Sequence, residues 1–295
     1  MRDWDEVFGL FGEAVLSRAD LMAAGIRGRE LTIGVRSGSL VRLRRDHYCL
    51  PQLDRAAQEA VRVGGKLGCV SALKQYGVFA YGARHTHVQV DPFASRLRSP
   101  APEWARLTEF NRGGIELHWL PELAEQESEA HRVSIMDALL ESLYCQHPWH
   151  TLASIDNALH QGLITRDDLD AVFHYAPSRL ARLEPLIDAR AESGQETVLR
   201  MIVHETGLPY ELQVWFSDVG RVDILVAGCL VLEADSRAFH DGWEAHVRDR
   251  GRDLAFATMG LASLRPAYQH TMHRPALVKS AIEGLVNQQL RHTLR

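Results

Sequence analysis

The chain has 295 residues, 46% of them hydrophobic and 24% charged. That is an ordinary globular balance, which excludes wholesale disorder, and the length suits two or three domains. A formal net charge of −5 excludes a protein coated in basic surface. Apolar runs such as 222–233 fall short of the roughly 18 to 20 residues a membrane-spanning helix needs. The acidic start Met1-Arg2-Asp3-Trp4-Asp5-Glu6 lacks the positive region of a secretory signal. The expectation is a soluble, cytoplasmic protein with no membrane partner.

Charge is unevenly spread. Ser17 to Arg45 holds seven arginines and two acids, Pro121 to Asp170 holds ten acids and two arginines, and Arg190 to Arg265 holds twelve acids and eight arginines. One basic block beside acidic ones suits a single nucleic-acid-contacting module, and equally a solvated face. Only three of the 33 basic residues are lysines. Arginine favours bidentate phosphate contacts, although a GC-rich genome produces the same bias. Cys49, Cys69, Cys145 and Cys229 lie far apart without C-x-x-C spacing, so neither a zinc knuckle nor a disulfide framework is expected.

Trp4 to Phe11 reads as a short helix with Val7, Leu10 and Phe11 on its apolar side. Ser17-Arg18-Ala19-Asp20 is a capping-box variant that opens a helix over Ala19 to Ala24, stopped by Gly25. Ile26, Leu31, Ile33 and Val35 have helical spacing up to Gly38. Residues 40–50 alternate like a hairpin with its turn near Asp46. Helix, turn, helix and two-stranded wing is the order of a winged helix-turn-helix. The stretch LSRADLMAAGIRGRELTIGVRSGSLVRLRRDHYCLP resembles the winged-helix domain of AbiEi-type antitoxins, with Gly38, Leu40 and Tyr48 in that family's G-x-L…Y wing. The resemblance implies DNA contact from Arg27, Arg29 and Arg36 on the recognition helix and from Arg42, Arg44 and Arg45 on the wing. Such phosphate contacts give affinity but little sequence information. The alternative is a protein-interaction or spacer module.

In the middle, residues 67–77 predict a short helix closed by Gly77, followed by strands at Thr86–Val90 and Ile115–Leu120 that pair. Pro92 to Asn111 reads as an exposed loop. His85, His87 and His118 lack the spacing of a closed metal site and are expected to face solvent. From Val133 the period turns helical, with Ile135, Leu139, Leu140 and Leu143 on one face. Further helices are expected over 151–160, 165–173 and 177–189, forming an acidic scaffold without visible chemistry.

Ser193-Gly194-Gln195-Glu196 opens a helix ending at Gly207-Leu208-Pro209. Strands follow at Glu211–Phe216, Arg221–Val226 and Cys229–Asp235, then a charged helix over 241–259 and a strand at Ala262–Arg265. Asp223 interrupts an apolar strand and Glu233 ends the next. A tight turn at Gly228 would bring the two acids together, and a buried acid needs a partner or a cation. Carboxylates suit Mg²⁺ or Mn²⁺, which can polarise a phosphodiester and activate water.

This pattern resembles the PD-(D/E)XK nuclease superfamily and, more closely, its Vsr-like (very-short-patch-repair-like) endonucleases. Glu196 fits that family's helix acid. Gly220, Val222 and Asp223 fit the second element, with Arg221 inserted between. Glu233, Asp235 and His240 fit the third, and Arg252-Asp253, Gly260 and Arg265 the remainder. Ser236 replaces the usual glycine, and Asp235 stands where other superfamily members carry lysine.

The implied roles are metal binding by Asp223, Glu233 and the Ala234 carbonyl, with Asp235 in the metal shell or orienting water. His240 would act as general base or acid, Glu196 would hold a metal-bound water or second ion, and Gln213 would contact the scissile phosphate. Arg248, Arg250 and Arg252 would hold the DNA backbone. Blander readings stand beside these: Glu196 as a first-turn acid favoured by the helix dipole, His240 as a partner of Asp235, and the arginines near 250 paired with Asp249 and Asp253.

The expected fold is thus multidomain, α+β with α/β: a winged helix-turn-helix (1–55), a small α/β linker domain (56–130), a helical connector (131–190) and a restriction-endonuclease-like α/β domain (191–295). The expected activity is metal-dependent DNA cleavage. The competing expectation is an antitoxin-like DNA-binding regulator with a silent nuclease fold, its partner a toxin or defence-system protein.

Overall fold

A computed structural model describes residues 2–102, 104–123, 128–217, 219–235 and 243–293; within it, nothing is said of the side chains of 243–246, 292 and 293. In chain order the first elements are α1 (Trp4–Gly9), β1 (Val15–Ser17), α2 (Arg18–Ala23), α3 (Gly28–Arg36), β2 (Val41–Arg44) and β3 (His47–Cys49). Next come α4 (Arg55–Val63), β4 (Lys66–Leu67), α5 (Cys69–Gln75), β5 (Thr86–Gln89), β6 (Ile115–His118), α6 (Ile135–Cys145), α7 (Pro148–His160) and α8 (Arg166–Tyr175). The last are α9 (Gly194–His204), β7 (Tyr210–Phe216), β8 (Gly220–Val226), β9 (Leu230–Leu232), α10 (Trp243–Thr258), β10 (Ala262–Leu264), α11 (Tyr268–His273) and α12 (Pro275–Thr293). The chain is therefore mixed α/β with several small sheets. It divides into two compact units: 1–146 with 164–182, and 147–163 with 183–295. The stretch expected as a separate helical connector is shared between them, α6 and α8 going to the first unit and α7 to the second. Among the described residues no helix is long and apolar enough to cross a membrane.

The first unit begins with α1 to α3 beside an antiparallel sheet of order β1-β3-β2. Ser17 and Asp20 form the expected reciprocal cap, each side chain accepting from the other's backbone N–H at 3.1 and 2.9 Å, which satisfies donors a helix start otherwise leaves orphaned. Asp46, at φ +63°, turns β2 into β3. Trp4, Leu16, Leu21, Ile26, Leu31, Leu40 and Tyr48 share one core. Gly34 is required there, because a Cβ would stand 2.8 Å from the Trp4 ring.

Two features here were not anticipated. Val15–Ser17 is a strand, too short to carry a readable alternation. Ile33 and Val35 are 53% and 36% exposed, because α3 turns Leu31 and Gly34 inward and leaves only that narrow stripe against Trp4.

A second sheet has order β4-β5-β6, with β5 parallel to β6, and the proline-containing loop expected between those strands makes the crossover. The solvent-facing assignment is wrong for two of three histidines. His85 is exposed, but His87 and His118 are buried, because β5 is the central strand and helices cover the face they share.

The second unit holds a sheet of order β10-β9-β8-β7, antiparallel except for β9 with β10, whose parallel connection runs through α10. Parallel neighbours require such a crossover. α7 packs on α9 through a buried ion pair: Arg200 donates to Asp156 at 2.7 Å, and Asp156 also accepts from Thr197 and from the Asp188 N–H. The order α9-β7-β8-β9-α10-β10 is the one expected from the sequence. α11 and α12 were not anticipated.

Candidate active site

Asp223 sits in the middle of β8, whose burial alternates so that Val222, Ile224 and Val226 face the core. The turn after β8 has Ala227 at φ +50° and Gly228 at φ +64°, and Cys229 N–H donates to the Val226 carbonyl. This is a type I′ geometry, which matches the twist of paired strands. It sets the register Ile224 opposite Leu232, the last pair of β8 with β9, and so brings the next residue, Glu233, towards Asp223. Asp223 lies within β8 and Glu233 directly after β9, and the charge of Glu233 acts on Asp223. Ala234 contributes its N–H, donated to Asp223 Oδ2 at 2.8 Å.

Glu196 joins them from α9. Ser193 caps that helix by accepting from the Glu196 N–H at 3.3 Å, and Glu196 Oε2 accepts from the Glu192 N–H at 2.9 Å. Gln213 interrupts the regular pairing of β7 with β8 between Leu212 and Val214, at φ +56°. The register is the same on both sides of it, so the break is a local left-handed backbone residue rather than an inserted one. Here Gln213 Nε2 lies 3.5 Å from Glu196 Oε2, and Gln213 Oε1 is buried without a partner among the described residues. Glu196, Gln213, Asp223 and Arg200 line a cavity of about 10 Å³, at the lower limit for one water-sized guest.

Burial pushes Asp223 up to about 6, against the Ala234 hydrogen bond that favours the carboxylate; the charges of Glu196 and Glu233 add to the rise. Burial also raises Glu196. Perturbed carboxylates of this kind in a cavity mark functional candidates.

Glu233 is placed differently. Arg265 Nε donates to Glu233 Oε2 at 2.7 Å and Arg252 pairs with Oε1, so both oxygens are engaged. Asp235 is exposed and bridges backbone with Ala267. His240 and Ser236 lie outside the described residues.

The three arginines of α10 separate, since positions two apart on a helix point in different directions. Arg252 turns inward to Glu233 and to the carbonyls of Val219 and Arg221, Arg250 pairs with Asp253 at 3.0 Å, and Arg248 is exposed. In the first unit, Arg27, Arg29, Arg36, Arg42 and Arg45 are exposed. Arg45 pairs weakly with Asp46 at 3.5 Å. Arg44 is half-buried, its guanidinium over Gly64.

Asp223, Glu196 and the orphaned Gln213 carbonyl form an oxygen-only donor set. That chemistry fits Mg²⁺ or Mn²⁺, which are commonly held by one or two carboxylates with water completing the shell. Among the described residues these acids do not close into a group of three metal ligands with Glu233. The residue the sequence under-used is Arg265, whose fit to the end of the family pattern gave no hint that it clamps Glu233.

No protein family model matches the chain, and no curated protein matches it.

Proposed function

We propose that the chain is a divalent-cation-dependent DNA endonuclease of the Vsr-like, PD-(D/E)XK kind, with a winged helix in its first unit that contacts DNA. The observation that carries the reading is Asp223, a half-buried carboxyl inside an apolar strand, which lines one small cavity with Glu196 and with a Gln213 carbonyl that has no partner among the described residues, and on which the Glu233 charge also acts. Without a ligand this combination is costly.

Asp223, Glu196 and Gln213 would hold Mg²⁺ or Mn²⁺, which supplies charge neutralisation at a phosphodiester and activation of water. Ala234 N–H fixes the rotamer of Asp223 and leaves its second oxygen free. Arg252 and Arg265 offer guanidinium donors that can exchange Glu233 for phosphate oxygens. Asp235, exposed just beyond β9, would orient water from solvent. In the first unit the helix–turn–helix order followed by a hairpin, with exposed arginines on α3 and β2, supports the winged-helix reading and backbone contact.

A second reading is favoured by one observation. Both Glu233 oxygens are occupied by arginines, which suits a silent nuclease fold in an antitoxin-like regulator that acts through DNA and a toxin or defence partner. Calorimetric titration of Mn²⁺ separates the two. The nuclease reading predicts binding that is lost in Asp223→Asn and weakened at least tenfold in Glu196→Gln. Absence of binding in the wild type, even with DNA present, would leave the regulator.

A further inference from the structure

The first unit gathers Cys69, His87, His118 and Cys145 so that one ligand atom of each lies within 4.8 Å of every other, the only such grouping of metal-ligating side chains among the described residues. His87 Nδ1 and His118 Nε2 are 3.0 Å apart, and Cys145 Sγ is 3.7 Å from His87 Nδ1. Zinc bonds of about 2.0–2.1 Å to nitrogen and 2.3 Å to sulfur require tetrahedral edges of about 3.3 Å between nitrogens and 3.5–3.8 Å where sulfur is involved. The observed separations already approximate that figure before any metal draws the ligands in.

Each ligand is placed by its element. His87 on β5 is paired with Glu116, and His118 lies two residues further along β6 on the same face, so the parallel register sets the two imidazoles side by side with ring centroids 5.2 Å apart. Cys69 opens α5 at φ +46°, a conformation unfavourable for a side-chain-bearing residue. The buried Glu141 fixes it there by accepting the Cys69 N–H at 2.6 Å. Cys145 is the last residue of α6, which packs on α5. Two helix ends and two adjacent strands thus aim two thiols and two imidazoles at one point. Ser71 holds the His87 backbone from the other side, accepting its N–H at 2.9 Å.

We infer that Cys69, His87, His118 and Cys145 bind one Zn²⁺ in a closed tetrahedral site that ties α5, β5, β6 and α6 of the first unit together. The thiolate–imidazole set selects zinc over hard cations. Four protein ligands leave no open position, which makes the site structural rather than catalytic. This inference is independent of the nuclease reading, since no residue is shared. The rival arrangements of the same side chains are a Cys69–Cys145 disulfide and a Cys145–His87 nucleophile pair.

The test is metal analysis of the full chain purified without chelator and without a metal-affinity step. The inference predicts one zinc per chain, a roughly tenfold fall in bound zinc in Cys69→Ser and in His118→Asn, and slow alkylation of Cys145 by iodoacetamide until zinc is extracted. Should the variants fail to fold, cobalt exchanged into the wild type decides. A tetrahedral thiolate–cobalt visible spectrum is expected, titrating to one equivalent and displaced by zinc. Folded wild type that takes up neither zinc nor cobalt under reducing conditions overturns the inference. So does a Cys69–Cys145 disulfide in the isolated protein, and so does rapid alkylation of Cys145 in zinc-supplemented protein.

Discussion

At the scale of single residues, Asp223 is where stability and chemistry oppose each other. Its native carboxyl titrates at about 6, above the ~3.9 of an unfolded aspartate. Between those pH values the folded state holds a proton that the unfolded state has lost, so stability falls as pH rises through the window, by about 3 kcal/mol. Asp223→Asn keeps an acceptor for the Ala234 N–H and removes the charge. Urea denaturation is therefore expected to show the variant more stable than wild type at pH 8 and equal to it at pH 4. A variant less stable at both would mean that Asp223 is held by a favourable partner rather than strained by burial.

At the scale of elements, the turn joining β8 to β9 brings Glu233 towards Asp223, and it does so with an alanine in the left-handed region. Ala227 at φ +50° costs about 1 kcal/mol that asparagine largely avoids, and Asn-Gly is the preferred type I′ pair. Ala227→Asn is expected to raise the urea midpoint by about 1 kcal/mol of stability with the m-value unchanged.

The same element shows what could be read beforehand. Local signals were legible: the Ser17 cap, the Gly228 turn and the acid interrupting an apolar strand are each decided within a few residues. The Glu233 clamp was not, because Arg252 and Arg265 reach it from a helix and a strand 19 and 32 positions away. The Cys/His cluster was invisible for the same reason. His87 and His118 are 31 residues apart, and His87 and Cys145 are 58 apart, distances at which no spacing motif operates. The inward face of α3 was not legible, because Gly34, not a large apolar residue, makes its contact with Trp4.

At the scale of the whole molecule, the proposed function gives DNA contact to the first unit and cleavage to the second. Arg29, Arg36 and Arg42 are exposed, and none has an ion-pair partner among the described residues. Each is available to a phosphate. Replacing all three with glutamine is expected to weaken binding to any duplex alike and to lower the slope of log affinity against log salt by up to about 3. An unchanged slope would place DNA contact elsewhere in the chain. The net charge is negative, so under the proposed function DNA affinity would depend on this local patch rather than on overall attraction.

The most direct measurement is plasmid nicking with Mg²⁺ or Mn²⁺, comparing wild type with Asp223→Ala and Glu196→Ala. The account predicts cleavage that requires the cation, stops on chelation and falls at least a hundredfold in both variants. Cleavage that survives both substitutions, or its absence from wild type on supercoiled, linear, single-stranded and mismatched DNA with binding intact, would contradict the nuclease assignment.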